Sequence, residues 1–153
     1  MTTNDLDTTA VIATLNRILE AELAGIVRYT HYSFMVYGYN RIPIVKWLRS
    51  QADESMLHAQ EAGEYVTTLG GHPSLSIGKL LEGETHDIGA ILREAIVHER
   101  EALGIYKELL SLVEGRDVML EEYARRMIAE ESLHVSEVDK MLRQPGDLTP
   151  FSM

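Results

Sequence analysis

The sequence predicts an all-α protein, an antiparallel four-helix bundle with one long crossover between the second and third helices. Apolar residues recur at helical spacing in four long segments, and no segment alternates with the two-residue period of a strand. The first and last connections are short, which joins neighbouring antiparallel helices, whereas the middle one is long enough to span a bundle. We expect the bundle to cover residues 1–145, followed by a short C-terminal tail over residues 146–153.

Capping and breaking residues mark the expected ends of the helices. Asp7, Thr8 and Thr85 are good N-caps, and Gly38 and Gly115 are typical of helix C-termini. The predicted helices cover about residues 8–37, 41–69, 85–114 and 118–144. The segment between the second and third helices carries glycines and a proline, which favours an irregular connection.

Composition limits the classes of function. A chain of 153 residues with 45% hydrophobic residues can bury the core of one domain. Its formal net charge of −10 disfavours nucleic acid as a partner, because that binding relies on basic residues. The absence of cysteine excludes disulfides, thiolate sites and iron–sulfur clusters. The N-terminus shows no signal pattern and no apolar run reaches membrane length, so we expect a cytoplasmic protein without a membrane partner.

Each predicted helix places an ionisable residue within its apolar stripe. A single buried carboxylate can reflect a misread register, but several from four helices would repel one another without a cation between them. Any metal here must be held by oxygen and imidazole, because thiolates are absent. The residues predicted to meet at one metal site are Glu22, Glu54, His58, Glu99, Glu131 and His134.

The spacing of these residues indicates a pseudo-repeat of two hairpins. In each hairpin the glutamates of the paired helices lie 32 positions apart (54 − 22 and 131 − 99). The histidines differ, since His58 follows Glu54 by four residues whereas His134 follows Glu131 by three. Both spacings keep the two side chains on one helix face. We therefore expect either a π-bulge in the second helix or a slightly different ligand geometry there.

The chain resembles the bacterioferritin and ferritin-like di-iron family from about residue 11 to residue 142. The resemblance rests on residues 15–17, Glu22-Leu23, Arg28-Tyr29, residues 54–59, residues 70–75, Glu99 and residues 130–134. It implies a ferritin-like bundle in which Glu22, Glu99, Glu131 and His134 are metal ligands. It further implies that Glu54 or its neighbourhood and His58 complete the set, with Glu54 and Glu131 bridging two iron ions per chain.

The resemblance also implies a reaction and an assembly. The expected reaction is oxidation of Fe(II) by dioxygen or peroxide, a ferroxidase activity that serves iron storage or detoxification. Tyr29 and Tyr106 each follow a ligand glutamate by seven residues; they are candidates for hydrogen bonds to the ligands or for electron donation, with core packing as the alternative. Residues 29–39 are apolar on more than one face, which predicts a dimer interface at least, with a 24-subunit cage as the larger alternative.

Three departures from the family pattern leave alternatives open. The residue three before His58 is Ser55 where the family has glutamate, so Glu61 is a reserve ligand. Met56 stands at the family's haem-ligating position, but a methionine there also suits packing. The chain ends soon after the fourth helix, without the fifth helix of cage-forming ferritins. A dimeric, non-storage di-iron oxidase or peroxidase of rubrerythrin type is therefore the second interpretation, and a metal-free helical interaction protein the third.

The remaining ionisable residues receive simpler interpretations. The histidines outside the predicted site are expected on the surface or in loops: His31, His72, His86 and His98. Glu130 is interpreted as either solvated or a neighbour of the metal ligands.

Overall fold

The computed structural model describes residues 5–80, 83 and 85–151. Over these residues it contains four α-helices and no strand, which confirms the predicted fold class. The helices are α1 (Thr8–Phe34), α2 (Arg41–Thr68), α3 (Ile88–Val113) and α4 (Val118–Leu142). Helix α1 packs against α2 and α3, and α3 packs against α4. Within the described residues, no helix combines the length and apolar character needed to cross a bilayer.

Aspartate side chains cap three of the four helices. Asp7, Asp87 and Asp117 each accept a hydrogen bond from the backbone N–H three residues later, at 2.9–3.2 Å. The predicted start of α3 near Thr85 was three residues early, because Asp87 is the residue that caps this helix. Helix α1 likewise ends at Phe34, before the predicted Gly38, and the chain turns into α2 over residues 35–40.

The first part of the crossover runs along the outside of α1. The backbone N–H of Ser74 donates to the Asn16 side chain at 2.8 Å, and that of Gly78 donates to the Glu20 carbonyl at 2.8 Å. A Cβ at residue 78 would lie 2.8 Å from that carbonyl oxygen, so this close approach requires glycine. The connection therefore travels the length of the bundle, as the one-crossover topology predicts.

The apolar core is divided by a polar layer at the middle of the bundle. One apolar cluster includes Leu15, Leu109 and Met127, whereas another includes Leu48 and Ile91 toward the other end of the helices. Between these clusters, every helix contributes buried or half-buried polar side chains. Each of the four helices thus contributes inward-facing polar side chains at one level of the bundle.

Candidate metal centre

The polar layer contains two groups of three side chains that share one carboxylate. Glu22, His58 and Glu131 form the first group, and Glu99, Glu131 and His134 form the second. In each group, one potential ligand atom from every residue lies within 4.8 Å of the others. Apart from His134, which is half-buried, all of these residues are buried. The structure therefore brings together five of the six predicted ligands, with Glu131 at their centre.

Both histidines turn Nδ1 toward the shared carboxylate. His58 Nδ1 lies 3.3 Å from Glu22 Oε2 and 3.8 Å from Glu131 Oε1. His134 Nδ1 lies 3.7 Å from the same Glu131 oxygen and 3.9 Å from Glu99 Oε2. The two imidazoles thus approach Glu131 from opposite hairpins, with their rings stacked at a centroid distance of 6.3 Å.

The outward nitrogens of these rings contact a second pair of carboxylates. His58 Nε2 lies 3.2 Å from Glu130 Oε2, and His134 Nε2 lies 3.2 Å from both oxygens of Glu54. A carboxylate that accepts from Nε2–H leaves the Nδ1 lone pair of a neutral ring free for a metal. Glu54 and Glu130 are therefore placed to hold the two imidazoles from outside the centre.

Because each of these carboxylates contacts the histidine of the other hairpin, Glu54 in α2 corresponds to Glu130 in α4. The next residue, Ser55, therefore corresponds to Glu131. Helix α2 is a regular α-helix over Arg41–Thr68, so the π-bulge alternative was wrong. A slightly different ligand geometry in this helix stays a prediction. The Glu54 side chain is 42% exposed and belongs to neither ligand group, whereas Ser55 is buried. A direct ligand role for Glu54 stays a prediction, while the reserve candidate Glu61 pairs with Arg126.

Two buried tyrosines orient the glutamates across the hairpins. Tyr106 Oη donates to Glu22 Oε2 at 2.6 Å, and Tyr29 Oη donates to Glu99. Burial and the neighbouring carboxylates raise the pKa of both phenols well above the usual value, so each stays a neutral donor. The geometry agrees with the hydrogen-bonding role expected for this pair, and electron donation stays a prediction.

Without a metal, protons on part of the cluster compensate its negative charge. Burial raises the pKa of Glu131, and the charges of Glu99 and Glu22 raise it further. For Glu99 burial acts in the same direction, but hydrogen bonds from Glu131 and His134 lower its pKa overall. Burial lowers the pKa of His134, yet Glu99 and Glu54 outweigh it and raise the value to about 9. The centre thus compensates buried negative charge with protons that a cation can replace.

One further observation supports the fit of these side chains to a pair of metal ions. Glu131 Oε2 is buried and has no hydrogen-bond partner among the described residues. A buried carboxylate oxygen without a donor is costly, and it lies in the residue that both ligand groups share. Carboxylate oxygens and imidazole nitrogens together suit iron or manganese.

The sequence interpretation missed a buried cluster next to the ligands. His98 was expected at the surface, but it is 5% exposed, because α1 covers the side of α3 on which it lies. Ser55 is equally buried, and a Cβ at Gly25 would lie 2.8 Å from Ser55 Oγ and 3.2 Å from His98 Nε2. The signal that identifies Ser55 is its place in the pseudo-repeat; nothing in the sequence distinguishes His98 from a surface histidine.

The other singled-out residues lie at or near the surface. His72 is exposed as expected, whereas His31 and His86 are half-buried with ring centroids 5.6 Å apart. Met56 is 43% exposed on α2. Haem ligation by Met56 stays a prediction.

Comparison with known proteins agrees with this architecture. The family model for a ferritin-like domain matches residues 12–145, while no curated protein matches the sequence. A solved ferritin-like, diiron-carboxylate protein from Bacillus anthracis is 26% identical, with a TM-score of 0.84 over 94% of this chain and 100% of its own.

Two further solved structures relate the chain to bacterioferritins. A dodecameric thioferritin, the bacterioferritin-related protein of Bacteroides fragilis, is 25% identical, with a TM-score of 0.83 over 90% of this chain and 87% of its own. Rhodobacter capsulatus bacterioferritin, solved with a metal-free dinuclear site and haem iron, shares the fold at 24% identity, with a TM-score of 0.77 over 88% of this chain and 84% of its own. The four-helix architecture, its polar centre and the family match over residues 12–145 together place this chain in the ferritin-like family.

Proposed function

We propose that this chain oxidises Fe(II) at a pair of metal positions held by Glu22, His58, Glu99, Glu131 and His134. The observation that carries the proposal is the pair of ligand groups sharing buried Glu131, whose second oxygen has no partner among the described residues. The Bacillus anthracis relative, described as a diiron-carboxylate protein, supports the same chemistry.

The side chains divide the work of the centre. Glu22, Glu99 and Glu131 offset the positive charge of the substrate ions, and the two imidazoles present Nδ1 to them. Tyr29 and Tyr106 hold the terminal glutamates in position through their hydroxyl groups. When bound, two iron ions supply the electrons that reduce dioxygen or peroxide. Uptake of Fe(II) displaces the protons that the carboxylates and imidazoles hold in the metal-free protein.

A homo-oligomer is part of the proposal. Four large apolar side chains around the α1–α2 turn are more than half exposed: Phe34, Tyr37, Tyr39 and Ile42. Exposed apolar groups concentrated in one region are typical of protein interfaces. The Bacteroides fragilis relative is described as dodecameric, which supports an assembly larger than a dimer. The cytoplasmic location expected from the sequence stays a prediction.

Anaerobic Fe(II) titration of the metal-free protein tests the proposal. We expect two ions bound per chain, followed on exposure to air by oxidation faster than in protein-free buffer. Glu131→Gln should bind neither ion tightly, because both ligand groups share this carboxylate. Fe(II) binding in this variant equal to the wild type, or no binding in the wild type, would contradict the proposal.

The size of the assembly and its iron capacity distinguish the two possible purposes of the oxidation. Storage or detoxification predicts a cage that retains many more irons than two per chain after excess Fe(II) is added. The alternative, a dimeric non-storage di-iron oxidase or peroxidase of rubrerythrin type, predicts a dimer that keeps only the two. Light scattering and iron analysis of the same sample distinguish them.

A further inference from the structure

The two outer carboxylates of the centre have different surroundings. Glu54 contacts His134 Nε2 with both oxygens, each at 3.2 Å, and forms no ion pair with an arginine or lysine in the described part of the chain. Glu130 Oε2 lies 3.2 Å from His58 Nε2, whereas its Oε1 lies 3.6 Å from Nη1 of Arg126. Glu130 therefore contacts an imidazole of the centre with one oxygen and a guanidinium outside the centre with the other.

Arg126 also reaches from α4 to α2. Its Nη2 donates a hydrogen bond to Glu61, which follows His58 by three residues and so lies within one helical turn of it. No Cα atom of α2 lies within 8 Å of a Cα atom of α4, so side chains bridge the space between these two helices. Arg126 thus contacts one carboxylate on the helix that carries His58 and another on the helix that carries Glu131.

Several contacts restrict this guanidinium, although its side chain is 46% exposed. Its Cζ lies 5.8 Å from the centroid of the buried Tyr123 ring, and its Nη1 lies 3.4 Å from the Met127 sulfur. An isolated exposed ion pair contributes little, but a cation that lies over an aromatic ring and contacts two carboxylates belongs to a network. The Glu130 side chain is 39% exposed, so ordering it without such a partner would cost more conformational entropy.

The orientation of Glu130 affects how His58 faces the metal position. A carboxylate that accepts from Nε2–H selects the neutral tautomer whose Nδ1 lone pair is free. His58 Nδ1 is the atom that faces Glu22 and Glu131 in the first ligand group. Without Arg126, Glu130 would lose one of the contacts that hold its Oε2 at the imidazole, and His58 would be less well oriented for a metal.

Resting on the proposed function, we propose that Arg126 is a positioning residue for one of the two metal ions. It holds Glu130 against His58 Nε2 and thereby orients the imidazole toward the ion of the first ligand group. The ion of the second ligand group does not depend on Arg126, because the imidazole of His134 is held by Glu54 alone.

Stepwise titration of the metal-free protein with Co(II) tests this inference without any oxidation. Arg126→Gln removes the guanidinium, and isothermal titration calorimetry gives the affinity of each ion. Arg125→Gln is the matched control, because Arg125 has similar exposure on the same helix but forms its ion pairs with Glu114 and Glu121. We expect Arg126→Gln to weaken one ion about threefold to fivefold and to leave the other unchanged, whereas Arg125→Gln should change neither.

A double-mutant cycle shows whether Arg126 acts through Glu130. Glu130→Ala should weaken the same ion about tenfold to a hundredfold, and Arg126→Gln should have no further effect in that background. A residue that only stabilises the fold would add its effect in both backgrounds. Glu61→Gln releases Arg126 from α2 and should weaken the same ion in the same direction, and it decides the matter if Arg126→Gln does not fold.

The direction of the effect separates positioning from simple electrostatics. A positive charge near the centre repels a divalent ion, so charge alone predicts tighter binding when Arg126 is removed. Tighter or unchanged binding in Arg126→Gln, equal weakening of both ions, or an effect that persists with Glu130→Ala would overturn this inference alone. An equal change in Arg125→Gln would do the same. No Co(II) binding in the wild type would overturn the proposed function as well.

Discussion

The hydrogen bond between Tyr106 and Glu22 gives the sharpest prediction on stability. The phenol donates at 2.6 Å to a carboxylate that is buried in the metal-free centre. Tyr106→Phe keeps the ring in the core and removes only the donor, so Glu22 Oε2 keeps His58 Nδ1, at 3.3 Å, as its remaining close polar neighbour. The loss of one hydrogen bond to a buried carboxyl group costs about 2 kcal/mol, which for a chain of this size lowers the Tm by about 6 °C.

The assay is differential scanning calorimetry of metal-free protein, with Tyr65→Phe as the control. Tyr65 is a half-buried residue of α2 whose hydroxyl has no hydrogen bond in the described part of the chain. Its loss should change stability by no more than about 0.5 kcal/mol. Tyr29→Phe should cost at least as much as Tyr106→Phe, because the pKa of its acceptor Glu99 is lowered and that carboxylate is ionised. A Tm for Tyr106→Phe equal to that of Tyr65→Phe would refute the reasoning.

Three further predictions follow from the same geometry. Glu54→Ala should weaken Co(II) binding about tenfold to a hundredfold while two ions are still bound, because Glu54 acts on the metal through His134. Glu64→Ala, at an exposed position of the same helix, is the control. Loss of one bound ion in Glu54→Ala would instead make Glu54 a direct ligand. The pKa of His134 is about 9 in the metal-free protein, above its ordinary value, so its proton stabilises the metal-free fold fully below about pH 6.5 and this contribution is lost as pH rises through about 9. Metal binding should therefore release protons near neutral pH and become tighter as pH rises. Calorimetric titrations in two buffers with different ionisation enthalpies measure this release, and finding none would contradict the prediction. Ile42→Glu should reduce the size of the oligomer in light scattering, whereas Val118→Glu, at another exposed apolar position, should not; equal behaviour of the two variants would place the interface elsewhere.

Local patterns were sufficient to predict most of the fold. Helical periodicity, the aspartate caps at Asp7 and Asp117 and the short connections depend on neighbouring residues, so the four helices and their pairing into hairpins can be derived from the sequence. The helix ends were less certain, as at Thr85, because several residues within one turn can serve as the cap.

The candidate site was partly predictable for an energetic reason. A glutamate in the middle of an apolar stripe is too costly without a compensating partner, so Glu22, Glu99 and Glu131 stand out against the residues around them. The histidines follow at spacings that keep them on the same face.

The tertiary structure decided which neighbouring residue faces the centre and which atoms meet there. Adjacent residues on a helix point about 100° apart, and packing against the other helices determines which of them is turned inward. Spacing along the chain therefore selected Glu54, whereas the bundle buries Ser55 and leaves Glu54 to contact His134 from outside. The exchange of tyrosine hydrogen bonds between the hairpins and the burial of His98 have the same origin, since both depend on contacts between segments far apart in the chain.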